Sequence, residues 1–325
     1  MTELLTEHTV ADYLVGRGVL RPGPSQAREL TGGVSNVVLL VESDSGRFVV
    51  KQALPQLRVA DEWFADPARA QSEAEALRLL GSLDPESVPQ LVDDDADRFA
   101  LTMTAAPADW VTWKDDLMAG RIDPSVGAAL GSLLRHWHLA TDRTTLPAIF
   151  EDQELFDQLR LDPFFGVSAT RRPELAKTLP ELADAIRSRR RTLVLGDYSP
   201  KNILVGGEGL WVIDHEVAHR GDPSFDLAFM LCHLAAKSIR RPEDAIALTN
   251  TAERFIAGYG DAPGVEDEAH LGRIFAGLLL ARVVGASPLG YLTTDQRSII
   301  EQRVTPLIVA TPQEFTETWR RVTSP

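Results

Sequence analysis

The stretch from Thr192 to Phe229 sets the terms for the rest of the chain. It holds three short apolar runs, Leu193–Leu195, Ile203–Val205 and Leu210–Ile213. The first stops at Gly196-Asp197, the second follows Asn202, and a Gly-rich turn at Gly206–Gly209 joins the second to the third. Short apolar runs around a Gly-rich turn predict a hairpin. That hairpin is expected to hold Asp197, Asn202, Asp214 and Glu216 near one another. Three carboxylates and an amide oxygen with few basic neighbours suit a hard divalent cation such as Mg2+, which prefers oxygen ligands.

The 325 residues are 44% hydrophobic and 25% charged, an ordinary composition for a soluble chain of about two domains or lobes. A net charge of −14 should repel nucleic acid and anionic membranes, so neither is an expected partner. One cysteine, Cys232, permits no internal disulfide and fits a reducing compartment. The N-terminus carries no basic-plus-apolar signal, and no apolar run reaches the length of a membrane span. The expected location is the cytoplasm.

Taken in order, the chain predicts a first helix at Val10–Arg17 and a Gly/Pro-rich turn at Arg21–Ser25. Leu30-Thr31-Gly32-Gly33-Val34-Ser35-Asn36 then leads into the apolar run Val37–Val41. A Gly pair opening into a strand lets backbone N–H groups approach a phosphate; a plain turn fits the same residues. Phe48–Lys51 is the returning strand, and Lys51 ends an apolar run, where a solvated lysine is not the default. Pro67–Leu80 predicts a helix with Asp66 as cap and Pro67 at its first position. Glu73 and Glu75 lie on this helix and point to different faces. Val88–Val92 and Phe99–Met103 predict strands around an acidic turn, Asp93–Asp97. Thr104–Pro107 reads as a hinge, dividing residues 1–104 from 105–325. Helices are expected at Pro124–Thr141, Pro180–Arg191, Asp226–Ala236, Asp244–Tyr259, Glu268–Val284, Ser298–Ile308 and Pro312–Arg321. Cys232 reads as an inert core residue, and His136 and His138 as packing or surface residues.

The spacing Asp197-x-x-x-x-Asn202 is that of a phosphotransferase catalytic loop, where the Asp accepts the proton of the attacking hydroxyl and the Asn holds metal. Together with Ile213-Asp214-His215-Glu216 and Gly221-Asp222-Pro223-Ser224-Phe225-Asp226-Leu227-Ala228, it resembles the aminoglycoside phosphotransferase and choline kinase superfamily. Asp-x-Glu at Asp214 and Glu216, and Val50-Lys51-Gln52-Ala53-Leu54-Pro55, look like the methylthioribose kinases of that group.

The resemblance implies an α+β, protein-kinase-like fold of two lobes. A small β-rich N-lobe (1–104) would bind nucleotide, and a larger, mostly helical C-lobe (105–325) would carry the catalytic loop, metal and acceptor sites. It implies ATP and Mg2+ as cofactors and transfer of phosphate to a hydroxyl of a small molecule, an aminoglycoside or a methylthioribose-like sugar. Asp197 would be the catalytic residue, with Asn202, Asp214 and Glu216 on the metal. Gly32, Gly33, Ser35 and Asn36 would cover the triphosphate. Lys51, paired with Glu73 or Glu75, would hold the α- and β-phosphates, and backbone groups at Thr104 and Ala106 would meet the adenine edge. Asp226 would brace the catalytic loop. Arg282 falls where methylthioribose kinases carry a substrate-facing Arg pair, with Ala281 in place of the other. Lys201, inside the loop, is a candidate for neutralising the γ-phosphate.

Two rivals occupy the same residues. His215-Glu216-Val217-Ala218-His219 fits H-E-x-x-H, a zinc hydrolase signature that requires both histidines on one face of a helix. The flanking strand-like run and Gly221-Asp222-Pro223 leave little room for that helix. The other rival is a catalytically silent nucleotide-binding protein on the same fold, against which the complete set Lys51, Asp197, Asn202 and Asp214 argues.

Overall fold

A strand buries every second side chain on one face, and Val37, Leu39 and Val41 do this over a cluster shared with Val10 and Leu14 of the first helix. The computed structural model describes residues 3–30, 35–58, 64–207 and 209–324. The chain divides into two units, residues 1–111 with 204–217 and residues 112–203 with 218–325. The expectation of one cut near residue 104 does not include this return of residues 204–217 to the first unit.

The first unit starts with α1 (Val10–Gly16), β1 (Ser25–Glu29), β2 (Asn36–Ser43), β3 (Gly46–Ala53), α2 (Arg69–Leu83), β4 (Leu91–Asp95) and β5 (Ala100–Thr104). The strands form one antiparallel sheet in the order β1-β2-β3-β5-β4. Lys51 therefore sits on the central strand, opposite Val38 on one side and Leu101 on the other. Helix α2 buries Ala70, Ala74, Ala76, Leu77 and Leu80.

Two local expectations are corrected. Helix α2 begins at Arg69, and the Asp66 carboxylate accepts from the Ala68 N–H before the helix starts. Asp93, Asp94 and Asp95 lie in β4 rather than in a turn, paired in register with Thr102, Leu101 and Ala100. Edge-strand carboxylates are tolerable here because each meets a donor: Arg17 reaches Asp93 at 2.7 Å, Arg78 reaches Asp94 at 2.9 Å and the Tyr13 hydroxyl reaches Asp95 at 3.1 Å.

After β6 (Val111–Thr112) the second unit holds α3 (Trp113–Met118), α4 (Pro124–Thr141), α5 (Glu154–Phe156), a π-helix over Asp157–Gly166, α6 (Val167–Arg171), α7 (Thr178–Ser188) and β7 (Thr192–Val194). The chain then returns to the first unit with the expected hairpin, β8 (Ile203–Gly206) and β9 (Gly209–Val212). It closes with β10 (His219–Gly221), α8 (Pro223–Arg240), α9 (Ala245–Tyr259), α10 (Glu268–Val284), α11 (Thr294–Val309) and α12 (Phe315–Thr323). Asp123 caps α4 and Asp222 caps α8, each followed by a proline at the first helical position, where no N–H is missed. From Pro223 to Ser238 every residue of α8 is buried. None of the described helices is long and apolar enough to cross a membrane.

Helices α4 and α9 approach so closely that a Cβ on Gly131 would fall 2.0 Å from the carbonyl oxygen of Phe255. On propensity alone Gly→Ala gains up to about 1 kcal/mol in a helix. At Gly131 the backbone clash should reverse the sign, costing about 1–3 kcal/mol as overpacking does. At Gly81 of α2 the nearest atom is 3.9 Å from the built Cβ, and the gain should survive. Denaturant unfolding of Gly131→Ala and Gly81→Ala checks this; equal shifts would contradict the packing account.

Candidate active site

A lysine in the middle of a sheet needs a counter-charge, and the first unit supplies two. Lys51 Nζ lies 2.7 and 2.8 Å from the Glu73 carboxylate oxygens and 2.7 Å from Asp214 Oδ1. Helix α2 delivers Glu73, which is 2% exposed. Glu75, on a different face, pairs with Arg78 instead. Asp214 follows β9 with φ +70, a left-handed backbone that non-glycine residues seldom adopt. Burial alone would depress the Lys51 ammonium, but the charges of Asp214, Glu73 and Glu216 outweigh it and hold the group protonated. Burial pushes Glu73 up to about 7, against the pull of Lys51 and with help from Asp214 and Glu216.

Glu216 has its own partners. Its Oε2 accepts from Asn36 Nδ2 at 2.9 Å and from Arg69 Nε at 3.2 Å. Arg69 is fully buried, and its other nitrogens donate to the carbonyls of Ala65, Asp66, Leu54 and Ser35. Asn36 also donates to the Ser35 hydroxyl. Glu73, Asp214 and Glu216 thus converge, each with a carboxylate oxygen within 4.8 Å of the others. Hard oxygen donors in this arrangement fit Mg2+ or Ca2+ rather than a softer metal.

The second unit holds the loop after β7. Asp226 of α8, fully buried, accepts from the backbone N–H groups of Leu195 and Gly196 at 2.7 and 2.8 Å. His138 Nε2 lies 3.4 Å from the same carboxylate, and its Nδ1 is 2.7 Å from the Tyr259 hydroxyl. Gly196 takes φ +72, which turns the chain so that Asp197 follows. Tyr198 is buried and donates to the Leu130 carbonyl on α4 at 2.9 Å. Asp197 Oδ1 accepts from Ser199 Oγ at 3.2 Å. Its Oδ2 meets Arg160 at 2.9 Å and Lys201 at 2.8 Å. Asn202 Nδ2 donates to the Asp197 carbonyl at 3.1 Å, tying the two ends of the five-residue spacing.

Of the residues expected from sequence, Asn36, Lys51, Glu73, Asp214 and Glu216 come together in the first unit, and Asp197, Lys201 and Asn202 in the second. Gly32 and Gly33 lie outside the described residues. Thr104 closes β5, with its N–H on the Gln90 carbonyl, and the Ala106 carbonyl accepts from Arg47 at 2.7 Å. Arg282, on α10, rests over the Phe164 ring at 5.5 Å. The H-E-x-x-H alternative is corrected: His215 lies in irregular backbone and His219 opens β10, so no helix aligns the two rings. Sequence reasoning missed Arg69 and Arg160. Arg160 lies in the run Leu159-Arg160-Leu161-Asp162-Pro163. The π-helix that aims it has a wide turn common at functional sites.

The sequence model of the phosphotransferase enzyme family matches residues 26–273. A methylthioribose kinase of Geobacillus thermodenitrificans is 27% identical over 272 residues, covering 74% of this chain and 68% of its own length. Among solved structures, an amicoumacin kinase in complex with AMP-PNP, Ca2+ and Ami superposes with a TM-score of 0.59 at 16% identity, over 94% of this chain and 96% of its own. A choline/ethanolamine kinase family protein from Mesorhizobium loti gives 0.57 at 17% identity, over 97% and 99%. At these identities the structures establish the fold, α+β with an antiparallel N-terminal sheet and a helical C-terminal part.

Arg69 has no exposure and, among the described residues, one carboxylate partner, Glu216. Breaking a buried pair by removing one member costs about 3–5 kcal/mol. Arg69→Met should lose on that order in denaturant unfolding, whereas Arg78→Met, whose pairs are partly exposed, should lose about 1 kcal/mol or less.

Proposed function

The chain belongs to the phosphotransferase enzyme family, and on that premise we propose that it transfers the γ-phosphoryl group of Mg·ATP to a hydroxyl of a small, sugar-like molecule. The observation that carries this reading is the buried contact of Lys51 with Glu73 and Asp214. A lysine fixed in this way is pre-oriented for phosphate. The methylthioribose kinase relatives support a sugar as acceptor, and the AMP-PNP complex of the amicoumacin kinase supports ATP as donor.

Lys51, braced by Glu73, holds the α- and β-phosphates. Ser35 and Asn36, with Gly32 and Gly33, cover the triphosphate, and backbone groups at Thr104 and Ala106 receive the adenine edge. Asp214 and Glu216, with Asn202, would hold Mg2+, since all three offer hard oxygen donors. Bound Mg2+ supplies neutralisation of charge on the β- and γ-phosphates. Asp197 orients the acceptor hydroxyl and takes its proton. Its Oδ1, met by Ser199 at 3.2 Å, is the oxygen suited to that hydroxyl, because Arg160 and Lys201 occupy Oδ2. Lys201 lies beside the reacting group and offsets charge on the transferred phosphoryl. Positioning and charge neutralisation do most of the work in this chemistry. Residues 1–111 with 204–217 serve the nucleotide, and the other unit serves the catalysis and the acceptor. The working compartment is the cytoplasm, where ATP is supplied and the lone Cys232, buried in α8, stays reduced.

The test is ADP release with Mg·ATP over methylthioribose, other sugars and polyols, aminoglycosides and choline. Asp197→Asn should lower turnover of the accepted substrate by about 10^2–10^4-fold, the range for a lost general base, with nucleotide affinity near wild type. Turnover unchanged in Asp197→Asn would refute the assignment. Nucleotide binding without turnover of any acceptor would favour a silent binding protein.

A further inference from the structure

The second unit contains a set of buried cationic and polar groups that the catalytic assignment leaves unused. His233 and Lys237 stand four residues apart on α8 and so share a face. Lys237 is 1% exposed, and its Nζ has one long hydrogen bond, to the His233 carbonyl at 3.5 Å. The Nζ also lies over the Tyr291 ring, 5.5 Å from its centre. His233 is 5% exposed, and among the described residues its Nε2 has no hydrogen-bond partner, nor do the Tyr291 hydroxyl and Arg282 Nε. Among the described residues no carboxylate forms an ion pair with Lys237 or Arg282. By contrast Arg187, Arg189, Arg190 and Arg191 of the same unit each pair with an acid.

Buried polar groups are ordinarily paired, and several orphans facing one place mark a missing partner. Two of the groups here, Lys237 and Arg282, are cationic side chains, and this favours an anion as that partner. Burial drives the Lys237 ammonium down to about 7, against the Cys232 thiol and with help from Lys114 and Arg282. Burial, with the charges of Arg282, Lys237, Lys201 and Lys114, also holds His233 well below its usual range. The cluster adjoins the reacting carboxylate within the same unit. Arg160, bound to Asp197, lies over the rings of Phe164 and Phe229 at 5.8 Å each. Phe164 also carries Arg282 at 5.5 Å, and the Phe229 ring centre is 5.2 Å from that of His233.

We propose that Lys237, His233, Arg282 and the Tyr291 hydroxyl form an anion-binding subsite, and that the acceptor is a sugar-like molecule bearing a phosphate or carboxylate. This deepens the kinase reading and rests on it for the identity of the bound molecule as acceptor. A neutral sugar would leave the cluster unpaired, and an aminoglycoside or choline would be repelled by it.

Ribose, ribose 5-phosphate and ribonate differ at one end in charge and in the type of anion. Each is titrated calorimetrically into wild type, Lys237→Met and Lys237→Arg, with Mg·AMP-PNP saturating, and ADP release is followed in parallel with Mg·ATP. In wild type the better anionic probe should bind at least about tenfold tighter than ribose, a difference of about 1.4 kcal/mol, and the ranking of phosphate against carboxylate names the group. Lys237→Met should abolish the preference and Lys237→Arg should keep most of it. Lys237→Met should also melt above wild type in the absence of ligand, since it removes an unpaired buried amine. Equal affinity for charged and neutral probes overturns the subsite, as does a preference that Lys237→Met retains. Failure of the kinase reading shows separately, as absent ADP release and absent Mg-dependent nucleotide binding, while a Lys237-dependent anion preference would persist.

Discussion

An ammonium group buried in a sheet is tolerable only if neutralised where it stands, and this requirement organises the first unit. Lys51 meets it with two carboxylates from distant parts of the chain, Glu73 on α2 and Asp214 after β9. The contact ties both α2 and the returning segment 204–217 to the central strand. It also leaves an imbalance, since Glu73, Asp214 and Glu216 surround one lysine and one arginine. Breaking such a buried pair costs several kcal/mol, although forming it gains little over an apolar pair. The cluster is therefore better understood as preparation for a charged ligand than as a source of stability.

The second unit uses the same device at Asp226. Two backbone N–H groups donate to one buried carboxylate and fix the turn that presents Asp197. Tyr198, anchored on α4, and Arg160, aimed by the π-helix, hold the loop from two further sides. Rigid support of this kind suits the catalytic role proposed for Asp197. The same helix α8 carries Asp226 near its start and His233 and Lys237 further along, so one buried element serves both the loop and the proposed anion subsite.

Much of this is legible in the sequence, because it is local. The Asp197-to-Asn202 spacing, the hairpin at Gly206–Gly209, and the proline after each capping Asp are short-range signals that tertiary context does not override. Lys51 stands out as a charge closing an apolar run. What was hidden depends on distance. Arg69 reads as a surface charge on a helix until Glu216, 147 positions later, meets it. Asp93–Asp95 look like a turn because only folding brings Arg17, Arg78 and Tyr13 to them. Lys237 resembles the usual basic end of a helix; that it is buried and unpaired follows from the packing of α8 alone. Likewise the H-E-x-x-H match satisfies a spacing and fails for want of a helix.

The most direct test of the central claim is a melting experiment on wild type and Lys51→Met, with ATP, Mg2+, or both. A ligand that binds only the folded state raises stability by mass action. The account predicts a substantial rise with Mg2+ and ATP together, little with either alone, and none in Lys51→Met. An equal rise without Mg2+, or one that survives Lys51→Met, would contradict the assignment of Lys51, Asp214 and Glu216 to a Mg·nucleotide site.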